Sequence, residues 1–291
     1  MAVSDFHWRR GNIRSIGDSN WRFHFAFNQV TQELRSGLLD LAREAIAGRI
    51  GAPFHRSRHA STWRKTVGGT AGAGVFVKMI EAPRGLARLK RITKGSHGAH
   101  IERITLSLND SGFSAPPLLM RGVDYTGGEL LIMLRAEGDG PLRALARLAD
   151  GPLSQKWAVL RAFGRELARF HRCGFVHGDL TPFNIFFIRT EPLRFALIDN
   201  ERTRRVTALM GRRRRLRNLV QLGHFALPHL SRTDRLRILG GYTEMMSPPG
   251  RRALMRRVAV MLDRRIKRDG GLAVVQASRT NAVPKYLQVR Y

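Results

Sequence analysis

Within the run His177-Gly178-Asp179-Leu180-Thr181-Pro182-Phe183-Asn184, a carboxylate and an amide stand five positions apart. The run follows a helix stop at Gly174 and precedes the apolar residues 185–188. Fifteen positions after Asn184, a second apolar stretch, 195–198, ends in Asp199. These types in this order suit phosphoryl transfer, which asks for positioning and charge neutralisation more than for covalent help. An aspartate can accept a hydrogen bond from an attacking hydroxyl and aim it in line. An amide oxygen across the same loop can hold one Mg²⁺, and a carboxylate on the neighbouring strand can bridge metal to the β- and γ-phosphates. Asp179, Asn184 and Asp199 are the candidates for those three roles. Taken alone, H-x-D is common and Asp in a loop is an ordinary turn former; the whole pattern between helix and strand is far more specific.

The elements that must position this loop can be read from periodicity. Residues 53–136 predict strands at 59–67, 75–80, 118–123 and 130–134. One helix near 98–110 carries Ile101, Ile104 and Leu108 at helical spacing and is ended by Ser111-Gly112. Upstream, Trp21, Phe23, Phe25 and Phe27 alternate as in a half-buried strand. Asn28 then caps a helix of about 29–49 with Leu34, Leu38, Leu41 and Ala45 on one face. After Glu137-Gly138-Asp139-Gly140 the pattern becomes helical. Pro141 opens a short helix and Ser154 caps a longer one running to about Cys173. Further helices are expected at 213–227, at 232–246 behind the Ser231-x-x-Asp234 capping box, and at 250–268. The implied organisation is a 1–52 strand/helix extension, a strand-rich part at 53–136, a helical part at 137–268 and a basic tail at 269–291.

Composition sets the class. Hydrophobic residues at 43% and charged residues at 25% are those of a folded protein. Cys173 is the single cysteine, which excludes an internal disulfide and fits a reducing compartment. Neither a secretory leader nor a run of ~20 apolar residues is present, so the expectation is a soluble or peripherally bound protein. The 51 Lys plus Arg against 22 Asp plus Glu leave a formal charge of +29. Such a surface attracts polyanions, and arginine forks onto phosphate better than lysine does; a compositional bias toward arginine is the plain alternative. The last helix sets Leu254, Val258, Met261 and Leu262 on one side with Arg252, Arg256, Arg264 and Arg268 elsewhere. That pattern fits either a packed terminal helix or one lying on anionic lipid.

Over roughly 55–245 the chain resembles the bacterial lipopolysaccharide core kinases, which phosphorylate heptose or 3-deoxy-manno-octulosonic acid residues, within the protein-kinase-like superfamily. The resemblance rests on Arg56-Ser57-Arg58, Val75-Phe76-Val77-Lys78, Gly112 to Pro117, the His177 to Asn184 loop, Leu197-Ile198-Asp199 with Glu201-Arg202, and Ser231 to Leu236. It implies an α+β, two-lobed protein-kinase-like fold, with an antiparallel sheet plus one helix in the N-lobe and a mainly helical C-lobe. It further implies ATP and Mg²⁺ as cofactors, Lys78 on the α- and β-phosphates, Glu102 as its ion-pair partner, and ATP bound between the lobes near backbone groups of Leu134 to Ala136. Gly68 to Gly74 looks like a phosphate loop, but it abuts the Lys78 strand. It therefore reads as the turn between the second and third strands. The loop over ATP would be about 56–62, with Arg58 or Ser61 near phosphate. Arg202, Arg204, Arg205, Arg212 to Arg215 and Arg217 follow Asp199 and suit an anionic acceptor, or else a solvated basic face. The implied acceptor is a lipopolysaccharide core glycolipid at the cytoplasmic face of the inner membrane, with the anionic membrane surface as partner and nucleic acid disfavoured. Two rivals stay open: a small-molecule or protein kinase, and an inactive kinase-fold protein binding anionic membrane or nucleic acid.

Overall fold

The computed structural model describes residues 15–18, 21–25, 31–57, 59–68, 72–82, 96–190, 192–224, 227–244 and 250–269. Phe27, Asn28, Arg58 and the tail beyond 269 lie outside them. The chain divides into two compact units, one drawn from 1–110 and 115–136, the other from 111–114 and 137–291.

The first unit is built on a seven-stranded sheet in the order β1-β2-β6-β7-β5-β4-β3. Its strands are β1 (Ser15–Asp18), β2 (Trp21–Phe25), β3 (His55–Arg56), β4 (Ala60–Val67), β5 (Ala73–Ile80), β6 (Leu118–Asp124) and β7 (Glu129–Leu134). Every neighbouring pair is antiparallel. Helix α1 (Gln32–Ile46) and helix α2 (His97–Asp110) complete the unit. Alternation along β5 sorts its two faces. Val75 and Val77, fully buried, join Leu38, Ala42, Phe23 and Leu130 in the larger core. Ile80 joins Ile101, Leu118 and Leu131 in the smaller one. Lys78 therefore shares the face of Ile80, toward α2. The alternating aromatics of 21–25 do form a strand, with Phe23 and Phe25 buried. Thr31 caps α1, its hydroxyl accepting from Leu34 N at 3.3 Å. The glycine-rich segment 68–74 joins β4 to β5, whose register starts at Val67↔Ala73, as the sequence implied.

The second unit is mainly helical: α3 (Pro141–Asp150), α4 (Leu153–Arg172), α5 (Ala208–His224), α6 (Arg232–Glu244) and α7 (Arg251–Arg268). Two short pairings add β8 (Phe175–Val176) with β11 (Arg204–Arg205), and β9 (Ile185–Thr190) with β10 (Leu193–Leu197). Ser154 does not cap α4. The helix begins one residue earlier, with Pro152 at the cap and no side-chain cap bond, because proline presets the entry dihedral without a side-chain acceptor. The capping box at α6 is reciprocal: Ser231 N donates to Asp234 Oδ2 at 3.0 Å, and Asp234 N donates to Ser231 Oγ at 3.1 Å. Asp234 also holds the buried ammonium of Lys156 at 2.9 Å. Helices α4 and α6 meet backbone to backbone: a Cβ on Gly164 would lie 2.0 Å from Ile238 O, and one on Gly241 would lie 2.1 Å from Arg161 O.

Residues 111–114 are held wholly by the second unit. Arg169 donates to Ser111 O at 2.8 Å and Gly112 O at 3.1 Å, Phe113 packs edge-on against Phe170, and Leu197 N donates to Ser114 O at 3.0 Å. This mixed helix-and-sheet architecture is compatible with the α+β kinase-like fold expected from the sequence.

Candidate active site

The loop from His177 to Asn184 is locked by its own main chain. Asn184 Nδ2 donates to Asp179 O at 2.8 Å, and Asn184 N donates to Thr181 O at 3.1 Å. Residues 182–184 form a 3-10 turn that delivers the chain into β9. Antiparallel pairing of β9 with β10 sets Leu197 opposite Ile185 and brings the segment after β10 back to the loop, where Ile198 N donates to Asn184 O at 3.0 Å. Asp199 then turns the chain with φ 57°, a left-handed conformation that a short polar side chain tolerates. The spacing read from the sequence thus gathers Asp179, Asn184 and Asp199 into one unit.

His177 ties the two acidic segments together. Asp179 N donates to its Nδ1 at 3.1 Å, so the proton resides on Nε2, which donates to Ile198 O at 3.0 Å. Burial lowers its pKa despite that bond and the nearby carboxylates, which keeps this neutral tautomer. Gly178 is required by a close crossing. A Cβ there would stand 2.0 Å from Arg202 Cβ and 2.8 Å from Arg202 O.

Two residues that the sequence reading missed reach Asp179 from α5. Gln221 Nε2 donates to Asp179 Oδ1 at 3.2 Å. Its Oε1 accepts from Asn218 Nδ2 at 3.2 Å, which fixes the amide orientation. Asn218 also clasps the loop backbone: its Oδ1 accepts from His177 N at 3.0 Å and its Nδ2 donates to His177 O. Behind Asn218, His171 bonds to Asn218 Oδ1 at 3.2 Å and to the Tyr242 hydroxyl at 2.8 Å. A chain of hydrogen bonds therefore runs from Tyr242 through His171, Asn218 and Gln221 to the Asp179 carboxylate. Their only sequence signal was two polar residues within the helix expected at 213–227. Replacing Gln221 by Leu is expected to lower kcat about tenfold at unchanged KM, because the carboxylate loses its fixed rotamer. Replacing it by Glu would set a like charge beside Asp179 and lower kcat further than Leu does; a wild-type kcat in the Glu variant would refute the contact.

His171 gives a stability test. Burial pushes its pKa down to about 4 from the ordinary 6.5 of an imidazole. Between those pH values the unfolded chain binds the proton and the folded chain does not, so stability is present above pH 6.5 and lost as pH falls toward 4. The loss is about 3 kcal/mol, with His177 acting in the same direction. Urea unfolding at pH 7 and pH 4.5 measures it, and His171→Gln should flatten the dependence.

The chemistry of the acidic groups fits a divalent cation. Asp199 is exposed and pairs with no cation among the described residues, in a chain of 51 Lys and Arg. The Asn184 amide spends its nitrogen on Asp179 O, leaving its oxygen as an acceptor. Among the described residues no three His, Cys, Asp or Glu side chains cluster as a metal site.

In the first unit, register sets Arg121, Leu131 and Lys78 in one cross-strand row on the face toward α2. Glu102, expected as the partner of Lys78, carries Arg121 at 3.4 Å, at the far end of that row, two strand spacings or ~10 Å from Lys78. A carboxylate that the sequence reading passed over, Glu129, is the diagonal neighbour of Lys78. It is fully buried and accepts from His97 N at 2.8 Å and Gly98 N at 2.6 Å, capping α2 from outside the helix. Glu129→Gln, which turns an N–H₂ onto one of those donors, is expected to destabilise the protein by about 2 kcal/mol in urea unfolding. Leu134 N donates to Pro117 O at 2.9 Å, so that N–H is committed within the unit; Ala136 is the last residue before the chain leaves it. The loop expected over the phosphates is a tight hairpin, closed by Ser57 N on Ala60 O at 2.8 Å and Ala60 N on Ser57 Oγ at 3.1 Å, with Ser61 opposite Arg56.

No curated protein matches the chain. Residues 108–242 match the model of the Lipopolysaccharide kinase (Kdo/WaaP) family. That stretch holds His177, Asp179, Asn184, Asp199, Asn218 and Gln221, and the match supports a phosphotransferase. The resemblance of this chain to the lipopolysaccharide core kinases is thereby borne out over the residues that build the loop.

Proposed function

We propose that the chain is an ATP- and Mg²⁺-dependent kinase that transfers the γ-phosphoryl group to a sugar hydroxyl of the lipopolysaccharide core. The observation that carries this reading is the locked Asp179–Asn184 loop, joined through His177 and Ile198 to an unpaired Asp199, inside the family match. In this mechanism Asp179 accepts a hydrogen bond from the attacking hydroxyl and takes its proton as the new oxygen–phosphorus bond forms and the bond from the γ-phosphorus to the β–γ bridging oxygen breaks, releasing ADP. Gln221 holds one carboxylate oxygen, leaving the other for the acceptor. Asn184 and Asp199 would hold Mg²⁺, which supplies charge neutralisation on the phosphates. Lys78 would contact the α- and β-phosphates, and backbone groups around Leu134 to Ala136 would receive the base.

The acceptor is proposed to be anionic. Helix α5 carries Arg212, Arg213, Arg214, Arg215 and Arg217 in the turns before Asn218, and a cationic aminoglycoside-type acceptor would be repelled there. No helix among the described residues is long and apolar enough to cross a membrane. We place the enzyme peripherally on the cytoplasmic face of the inner membrane, where each basic residue near an anionic surface contributes about 1 kcal/mol.

The test is transfer of label from γ-labelled ATP with Mg²⁺ to intact and deacylated core lipopolysaccharide, an aminoglycoside and a generic protein substrate. Label on core glycan alone is expected. ATP binding with label on another acceptor would remove the lipopolysaccharide reading and keep the kinase one. Absence of ATP binding would remove both.

A further inference from the structure

Several arginines of the second unit are answered by acids: Arg143 and Arg147 by Asp139, Arg161 and Arg165 by Glu244, Arg169 by Glu166, Arg237 by Asp234. Four are not. Arg212 and Arg215 of α5 and Arg251 and Arg257 of α7 pair with no carboxylate among the described residues, and all four line one cavity of about 330 Å³. Its apolar lining comes from Leu216, Leu219 and Leu254. Arg215 is the least exposed of the four. Its guanidinium packs over Gly211, where even a Cβ would come within 3.0 Å of Nε, and that Nε is buried without a hydrogen-bond partner. One helical turn beyond Arg257, Val260 and Met261 are exposed on α7 at 44% and 38%.

We propose that this cavity binds a phosphate monoester carried on an apolar chain, such as the phosphate end of an anionic amphiphile. Unanswered guanidiniums converging on one space call for a multiply charged oxyanion, and their planar forks match phosphate oxygens. The leucine lining adds an apolar requirement that free phosphate does not meet. The volume is at the small end for ligand sites, enough for a phosphate and the first part of a chain but not for a whole glycolipid. Exposed Val260 and Met261 beside Arg257 would continue the apolar path outward. The cavity contains none of Asp179, Asn184, Asp199 or Lys78; it shares Arg212 and Arg215 with the arginine run proposed to select the acceptor, so its test reads binding alone.

The test needs neither ATP nor an acceptor. Calorimetric titration at 150 mM NaCl would use octyl phosphate below its micelle concentration, inorganic phosphate and octanol. Octyl phosphate is expected to bind saturably and at least tenfold tighter than inorganic phosphate, with octanol giving no saturation. The pair Arg215→Gln/Arg257→Gln should weaken octyl phosphate at least tenfold. The pair Arg252→Gln/Arg264→Gln removes the same charge from α7 outside the cavity and should change it less than twofold. Should the first pair melt early, Arg251→Gln/Arg257→Gln, at exposed positions, is expected to give the same loss. Hydrogen exchange should slow across 212–219 and 250–257 on binding. Equal weakening by both charge-matched pairs would overturn the site in favour of general charge attraction. Inorganic phosphate binding as tightly as octyl phosphate would overturn the apolar requirement, and no saturable binding would overturn the proposal entirely.

Discussion

Asp179→Asn is expected to lower kcat for phosphoryl transfer by about 10²–10⁴-fold, the range of a positioned general base. ATP affinity should stay within about twofold. The substitution isolates chemistry from folding because the loop is held through the Asp179 main chain. Its N–H donates to His177 Nδ1 at 3.1 Å and its carbonyl accepts from Asn184 Nδ2 at 2.8 Å, and neither bond uses the carboxylate. The Gln221 contact at 3.2 Å survives if the amide oxygen takes the place of Oδ1. What disappears is the capacity to take a proton from the acceptor. Single-turnover transfer, with nucleotide binding measured in parallel, would decide it; a rate within tenfold of wild type would remove Asp179 from the role of base.

Adjacent glycines of α6 should respond in opposite directions when replaced by alanine. At Gly241 the new Cβ would lie 2.1 Å from Arg161 O, a backbone atom that moves only if α4 and α6 separate. The expected loss is about 3 kcal/mol or more, at the upper end for overpacking because no side chain can rotate away. At Gly240 the same methyl meets nothing within 4 Å. There the gain in helix propensity and the stiffer unfolded chain should stabilise by about 0.5–1 kcal/mol. Urea unfolding of the two variants gives the comparison directly. Similar losses at both positions would show that the helices are not in backbone contact.

The local parts of this structure were legible because local chemistry determines them. The His177 to Asn184 run closes on itself over five residues, Ser231 and Asp234 cap each other over three, and Val67 and Ala73 close a hairpin on a glycine-rich turn. The alternation of Trp21, Phe23 and Phe25 marked a strand, although nothing in it showed that β2 pairs with β6, nearly a hundred residues onward. The supports of the loop were illegible for the same reason. Gln221 and Asn218 meet Asp179 and His177 across more than forty residues of chain, and a polar residue on a helix does not announce which face it will present. Glu129 stood just outside the strand expected at 130–134 and was passed over, yet it is buried as the cap of a helix distant in sequence. Glu102 fell at a suitable helical position, and Arg121 of the sheet lies within its reach. At α4, serine was the better cap by preference, and Pro152 took the position by fixing the backbone instead.

Residues 111–114 belong to the second unit, while the chain on either side of them belongs to the first. The polypeptide therefore passes from one unit to the other three times, at 110/111, 114/115 and 136/137. No single cut yields two whole modules. A fragment beginning at 137 would lack Phe113, whose ring lies beneath the Arg169 guanidinium at 3.7 Å, and the Ser114 carbonyl that receives Leu197 N. The helical unit should thus be soluble in isolation only when the severed strand of residues is supplied in trans or fused back through a linker. The family match, beginning at 108, starts just ahead of the first crossing and so takes in all three.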